Sequence, residues 1–129
     1  MHFGLLLMTR NPRTVLITGA TDGIGLALAR HYVDQGARLI LVSRRSISAL
    51  DGKLFVPETY CQADLSKPDC AFWVEAFLQE QGIDKIDVLI QNAGTGYYGS
   101  VASQASSHIR DLVAVNLMGP VRLTRACYS

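Results

Sequence analysis

The 129-residue sequence predicts an α/β fold, a doubly wound parallel sheet with helices on both faces. Short apolar or β-branched runs alternate with segments whose apolar residues recur at helical spacing, and the links between them are short. A glycine-rich turn joins the first apolar run to the first helical segment. The composition agrees, because 49% hydrophobic and 18% charged residues exclude a disordered chain.

The first two strands are the most apolar parts of the regular pattern. Thr14–Thr18 is predicted to be a buried parallel strand that ends at Gly19. Apolar residues then recur at helical spacing from Ile24 to Tyr32, and Gly36 ends that helix. Leu39–Val42 is predicted to be the second buried strand.

The middle of the chain is more polar. A short, weak helical piece is expected over Ser46–Leu50, and a third strand is expected over Thr59–Ala63. Ser66 is expected to be the N-cap of a helix that runs to about Gln81. The residues of this helix expected to point inward are Trp73, Ala76 and Phe77.

The last predicted elements are a fourth strand, Asp87–Gln91, and a helix from about Gln104 that is still running at Ser129. The apolar stripe on this helix consists of Ile109, Leu112, Val113, Leu117 and Val121. Asn116 and Pro120 lie within it. Pro120 has no N–H, so the carbonyl of Asn116 loses its helical donor and a kink is expected. A buried Asn116 must also find polar partners or cost roughly 1–3 kcal/mol.

Charge and cysteine content limit the partners. Twelve Lys and Arg residues face eleven Asp and Glu residues, so the net charge of +1 gives no basic excess for nucleic acid. The apolar run Phe3–Met8 is far shorter than the roughly 20 residues of a membrane span. The spacing of Cys61, Cys70 and Cys127 fits no zinc site, and reduced thiols in a cytoplasmic protein are expected. Residues 1–13 are expected to be a leader outside the fold.

The candidate site lies beyond the carboxyl ends of the strands, where open parallel sheets bind ligands. Gly19 permits a sharp turn after the first strand, and Gly23 and Gly25 allow close backbone approach. N–H groups at the helix start would then face an anion such as a pyrophosphate. A tight glycine turn without a ligand is the alternative. Asp22 is expected to cap this helix rather than meet a phosphate.

Four motifs in order resemble the short-chain dehydrogenase/reductase family. Residues 18–25 have the spacing Thr-Gly-x3-Gly-x-Gly. Asp64–Leu65 resembles the adenine-contacting pair of the family, and Asn92–Gly94 resembles the end of its Asn-Asn-Ala-Gly motif. Val115–Gly119 resembles the stretch around its catalytic Asn. Gln91 departs from the pattern, because the family usually has Asn there.

The resemblance covers about residues 14–129 and implies an incomplete NADP-binding Rossmann domain, truncated after about four strands with the order three, two, one, four. It implies that the backbone of Asn116 holds a water in a proton relay to an active-site Lys. The substrate class implied is a small carbonyl or alcohol. Tyr97 and Tyr98 are expected either to line the substrate side of the site or to pack within their loop. The expected cofactor-binding residues are Gly19, Thr21, Asp22, Gly23, Ile24, Gly25, Ser43, Arg44, Arg45, Asp64, Leu65, Asn92, Ala93 and Gly94.

The end of the second strand favours NADP(H) over NAD(H). An NAD binder places a carboxylate here for the ribose 2′-hydroxyl, but Ser43 is followed by Arg44 and Arg45, and no carboxylate occurs before Asp51. Two guanidinium groups suit a 2′-phosphate. A solvated basic pair at a loop edge is the alternative.

The Tyr-x-x-x-Lys pair on which the family's proton transfer depends is missing. Two classes of function therefore remain. The favoured one is the cofactor-binding half of an NADP(H)-dependent oxidoreductase, inactive by itself, and the alternative is a non-catalytic dinucleotide-binding module. Because the fourth strand would form an apolar sheet edge, homo-oligomers or self-association through that edge are also expected.

Overall fold

Four parallel strands form one sheet within residues 12–128, the part of the chain that the computed structural model describes. They are β1 (Thr14–Thr18), β2 (Arg38–Ser43), β3 (Tyr60–Gln62) and β4 (Val88–Ile90). Their order is β3-β2-β1-β4, and all three pairings are parallel. The predicted fold class and strand order are confirmed, although β3 and β4 are each two residues shorter than predicted.

The helices are α1 (Gly23–Asp34), α2 (Cys70–Glu80), α3 (Ser106–Val113) and α4 (Gly119–Tyr128). A π-helical segment, Ala114–Met118, joins α3 to α4. The long last helix of the prediction is therefore interrupted where the kink was expected. The predicted helical piece after β2 is one short 3-10 turn over residues 47–49.

The sequence prediction for α2 was wrong in two respects. Ser66 does not cap the helix, because its N–H and its hydroxyl both donate to the Asp64 carboxylate; Asp69 is the N-cap residue. Trp73 does not point inward, since its side chain is 52% exposed and its indole N–H donates to Asp69 at 3.1 Å. The buried residues of α2 are Cys70, Val74, Phe77 and Leu78.

The sheet is covered on both faces, as the uninterrupted apolar strands predicted. Alternate residues of β1 and β2 point to opposite faces. Leu16 and Ile40 pack in a cluster with residues of α2 and with Leu123 of α4. Val15 and Leu39 pack in a second cluster, on the side of α1. This two-sided burial fixes the carboxyl ends of the strands at one edge of the sheet.

The outer face of the last helical stretch is apolar and exposed. Ile109, Val113, Leu117 and Val121 follow one another at intervals of four, and their side chains are 47–58% exposed. This matches the expected stripe, of which Leu112 is half-buried. Within the described part of the chain, no helix is long and apolar enough to cross a membrane. The leader expected over residues 1–13 lies outside the described residues, except for the last two.

Candidate functional site

The glycine turn after β1 packs directly on the loop after β4. Gly19 has φ 65°, in the left-handed region, and its N–H donates to the Val42 carbonyl at 2.9 Å. A Cβ atom at Gly25 would lie 2.5 Å from Asn92 Nδ2 and would overlap the carbonyl oxygen of Gly19. Glycine at both positions is therefore required for this close approach, as the sequence indicated.

The start of α1 borders the cleft through its N-cap residue, Asp22. Asp22 occupies the N-cap position, as predicted, but its side chain accepts no capping hydrogen bond, so that part of the prediction was wrong. A Cβ atom at Gly23, where φ is 52°, would have no neighbour within 4 Å. The N–H groups of the first helical turn are thus not capped by Asp22, and such groups attract anions.

The loop after β4 is tied to β1 by two hydrogen bonds. The Asn92 amide donates to the Gly19 carbonyl at 3.1 Å, and the Ala93 N–H donates to the hydroxyl of Thr18 at 3.0 Å. Thr18 is fully buried, so its hydroxyl is held without competition from water. These bonds fix Asn92 and Ala93 beside the glycine turn.

Asp64 follows β3, and its carboxyl group is negatively charged at neutral pH. Burial opposes ionisation of this carboxyl, but two hydrogen bonds from Ser66 and the nearby cations Lys67 and Arg44 outweigh it and lower the pKa of Asp64. The bonds measure 2.9 Å from the Ser66 N–H and 2.7 Å from its hydroxyl. Asp64 is therefore an ionised hydrogen-bond acceptor at neutral pH.

The two arginines after β2 take different positions. Arg44 is exposed and lines the cleft together with Ser43. Arg45 is exposed but does not line it. Its carbonyl accepts a 2.5 Å hydrogen bond from Tyr60, and the Arg44 carbonyl accepts one from Gln62 at 3.2 Å. These bonds hold the backbone of both residues at the end of the sheet. They do not involve the guanidinium groups, and both residues are exposed.

Asn116 lies in the π-helical segment and clamps the loop after β4. Its Nδ2 donates to the Thr95 carbonyl at 2.8 Å, and its Oδ1 accepts from the Thr95 N–H at 3.0 Å. The expectation that Asn116 needs polar partners is confirmed, although the residue is exposed rather than buried. The Gly119 N–H donates five residues back, to Ala114, so the helix widens just before Pro120.

These elements enclose a cleft of about 280 Å³ at the carboxyl ends of all four strands. The predicted cofactor residues that line it are Gly19, Asp22, Ser43, Arg44, Asp64, Leu65, Asn92, Ala93 and Gly94. Those that do not line it are Thr21, Gly23, Ile24, Gly25 and Arg45. The predicted catalytic residue, Asn116, is also absent from the lining but holds its neighbour Thr95, which does line the cleft.

Sequence reasoning missed several cleft residues. The additional lining residues are Val42, Ala63, Ser66, Thr95, Tyr97, Asp111 and Val115. Asp111 and Val115 lie four residues apart, so they share one helical face, and this spacing could have indicated them. The sequence left open whether Tyr97 and Tyr98 line the site or pack, because their positions depend on how the loop folds; of the two, only Tyr97 lines the cleft.

Gln91, the departure from the family motif, links β4 to the last helix. Its Nε2 donates to the Pro120 carbonyl at 3.1 Å and to the Thr124 hydroxyl at 3.2 Å. Its Oε1 is buried without a hydrogen-bond partner. The longer side chain thus reaches the helix, but one polar atom is left unsatisfied.

The thiols lack the features of reactive groups. All three are free. Burial raises the pKa of Cys61 to about 12 and that of Cys127 to about 11, so both stay protonated at neutral pH. Among the residues described, no three His, Cys, Asp or Glu side chains are grouped so that they could hold a metal ion.

A family model described as short chain dehydrogenase matches residues 13–129. The NADP-dependent (R)-specific alcohol dehydrogenase of Lentilactobacillus kefiri is 32% identical over 117 residues, which cover 83% of this chain and 44% of that protein. The chain spans less than half the length of the curated relatives it matches.

Solved structures agree in fold. A short-chain dehydrogenase from Sphingobium yanoikuyae in complex with NADPH has a TM-score of 0.74 and 35% identity, covering 89% of this chain and 47% of that one. An oxidoreductase of the same family from Brucella ovis, in complex with a partially ordered NAD, has a TM-score of 0.78 and 27% identity. That match covers 92% of this chain and 57% of the other.

Proposed function

Because this chain belongs to the short-chain dehydrogenase family, we propose that it is the cofactor-binding portion of an NADP(H)-dependent oxidoreductase. The observation that carries the proposal is the single cleft at the carboxyl ends of the four strands, which gathers the glycine turn, Arg44, Asp64 and residues 92–94. When bound, the nicotinamide ring would supply or accept a hydride for a small carbonyl or alcohol substrate.

The glycine positions fit a dinucleotide. Side chains at Gly19 and Gly25 would fill the space between the turn and the loop after β4. Glycine at both positions therefore lets the turn and the loop pack together at the base of the cleft. The uncapped start of α1 would face the pyrophosphate. The ionised carboxylate of Asp64 is suited to accept a hydrogen bond from the adenine amino group.

The choice of NADP(H) rests mainly on Arg44. Arg44 lines the cleft beside Ser43 and is exposed, and a 2′-phosphate can receive charge-assisted, bidentate hydrogen bonds from a guanidinium group. Arg45 is close enough in sequence to add its charge but is not part of the lining. Of the similar proteins described above, one is NADP-dependent, one is in complex with NADPH and one is in complex with NAD, which favours NADP(H).

Cofactor preference is tested by the dissociation constants of NADPH and NADH, measured by isothermal titration calorimetry on the 129-residue chain. We expect NADPH to bind more tightly and Arg44→Asp to reverse the order. Arg30→Asp is the matched control, because it makes the same charge change on an exposed α1 residue outside the cleft. Equal constants for both cofactors in the unmodified chain would contradict the proposed preference.

We propose that the chain by itself is catalytically silent. No Tyr in the 129 residues is followed by Lys four positions later, so the phenol–ammonium pair that exchanges a proton with the substrate is lacking. Asn116 could contribute only a positioned backbone to such a relay. With ketones, aldehydes and quinones, no loss of NADPH absorbance is expected; turnover that survives purification and disappears in Asn116→Ala would refute this.

The second candidate function is a dinucleotide-binding module without catalysis, in the cytoplasm, where free thiols stay reduced. The missing Tyr-x-x-x-Lys favours it. The two candidate functions predict different results when the carboxyl-terminal half of a relative is added to this chain and NADPH oxidation is measured. Restored NADPH oxidation supports the oxidoreductase portion, whereas NADPH binding that stays inert supports the module.

We also propose that the chain self-associates. β4 pairs only with β1 within the described sheet, and Val113, Leu117 and Val121 of the last helical stretch present an exposed apolar face. Light scattering is expected to show dimers or larger species. A monodisperse monomer with a cooperative thermal transition well above ~50 °C, on the usual scale for mesophilic domains, would contradict it.

A further inference from the structure

Three side chains outside the family motifs meet beside the cleft: Tyr97, His108 and Asp111. The rings of Tyr97 and His108 are stacked, with centroids 4.0 Å apart and 2° between their planes. The Tyr97 hydroxyl donates a long hydrogen bond, 3.5 Å, to the Asp111 carboxylate. Tyr97 and Asp111 both line the cleft, so this group belongs to its wall.

The position of Tyr97 is fixed from several sides. Two residues earlier, the backbone of Thr95 is held at both its N–H and its carbonyl by Asn116. His108 covers part of the ring, and Asp111 anchors the hydroxyl. The residue remains 38% exposed, whereas the next residue, Tyr98, is fully exposed and lines no part of the cleft. Tyr97 is therefore an ordered aromatic ring that a ligand in the cleft can reach.

An ordered aromatic ring in a cleft wall is suited to planar heterocycles. Stacking of a nucleic acid base on an aromatic side chain is not base-specific, because each base has a π face, and its loss weakens binding by about tenfold or more. Because His108 and Asp111 already hold the ring, little rotamer freedom would be lost on binding. Adenine and nicotinamide are both planar heterocycles of the required kind.

We propose that Tyr97 is a stacking platform for a planar heterocycle of the bound dinucleotide, and that His108 and Asp111 are its positioning residues. This inference rests on the proposed function, because it presumes that a dinucleotide enters the cleft. It assigns ligand contact to a loop residue outside the motifs that led to the cofactor site.

The test is the dissociation constant of NADPH for Tyr97→Ala, measured by titration calorimetry, with Tyr98→Ala as the control in the same loop. We expect about tenfold weaker binding for Tyr97→Ala, no change for Tyr98→Ala and nearly full retention for Tyr97→Phe, which keeps the ring. If Tyr97→Ala loses the circular dichroism of the fold, Tyr97→Leu takes its place, because it keeps apolar bulk without a π face.

Two shorter ligands identify the stacked ring. Adenosine 2′,5′-bisphosphate carries only adenine, and reduced nicotinamide mononucleotide carries only nicotinamide; the ligand whose affinity falls in Tyr97→Ala contains the ring that stacks. The positioning role predicts that Asp111→Asn, which keeps an acceptor for the phenol, weakens NADPH binding less than Asp111→Ala.

The outcomes separate the two proposals. If the unmodified chain binds NADPH but Tyr97→Ala and Tyr98→Ala bind it equally well, the stacking platform is refuted and the proposed function stands. If the unmodified chain does not bind NADPH, both proposals are refuted.

Discussion

Replacing Gly25 with alanine is expected to destabilise the fold through one close backbone contact. The added Cβ atom would overlap the carbonyl oxygen of Gly19 and lie 2.8 Å from its carbonyl carbon. It would also lie 2.5 Å from Asn92 Nδ2, whose hydrogen bond to Gly19 would have to lengthen or break. Since two of these atoms belong to backbone, a rotamer change alone cannot relieve the overlap.

The loss of stability in Gly25→Ala is the sum of two unfavourable contributions and one favourable contribution. Overpacking that shifts backbone costs about 1–3 kcal/mol, and loss of the Asn92 hydrogen bond adds about 0.5–1.5 kcal/mol. Alanine recovers about 0.5–1 kcal/mol relative to glycine inside a helix. We therefore expect a net loss of about 0.5–4 kcal/mol, centred near ~2 kcal/mol, in the free energy of unfolding, together with weaker NADPH binding because the turn is displaced.

Urea unfolding measures this loss, and Gly52→Ala is the matched control. A Cβ atom at Gly52 meets nothing within 4 Å, and its φ is not in the left-handed region, so we expect a change within about 0.5 kcal/mol. If the unfolding curves of Gly25→Ala and Gly52→Ala overlap, the close approach of turn and loop does not exist as described.

Asn116→Ala removes both hydrogen bonds to the Thr95 backbone. Because the site is exposed, we expect the free energy of unfolding in urea to fall by only about 0.5–1.5 kcal/mol. An unchanged urea midpoint would show that these two bonds do not stabilise the loop. The lowered pKa of Asp64 means that its carboxylate stabilises the fold above about pH 4, and that this stability disappears as pH falls through the folded-state pKa. Asp64→Asn should therefore flatten the acid limb of a melting-temperature profile, and an identical limb would contradict this. Burial raises the pKa of Cys127 to about 11. The buried, protonated thiol therefore contributes its full stability below the unfolded-state pKa of about 8.5, and this contribution is lost as the pH rises toward 11. Iodoacetamide at pH 9 should alkylate Cys127 much faster in urea than in buffer, and equal rates would show that the thiol is not protected.

The sheet was predictable because burial on both faces requires near-continuous apolar strands. The four consecutive apolar residues Leu39–Val42, flanked by short links and helices, predict an internal strand that is buried on both faces. The glycine turn was predictable for a similar reason, since Gly19 combines a positive φ with close backbone contact. Strand ends were less accurate, because the last residues of β3 and β4 depend on which neighbours continue the pairing.

The errors arise where a single side-chain or loop contact overrides the local pattern. Trp73 was expected to point inward, but a hydrogen bond to Asp69, four residues earlier, holds its indole on the surface. The sequence left open whether Tyr97 lines the site or packs, because its position depends on the bonds between Thr95 and Asn116, which lie 21 residues apart in sequence. Such long-range contacts leave no periodic signal in the chain.

The central claim is that NADPH binds in the cleft at the carboxyl ends of the strands. Proton–nitrogen correlation spectra of the labelled 129-residue chain during an NADPH titration test it most directly. We expect saturable shifts of the amides of Gly19, Asp64 and Gly94, which line the cleft, and none at Gly82, which lies outside it in the turn after α2. Shifts that do not saturate, or that leave those three amides unmoved, would contradict the account.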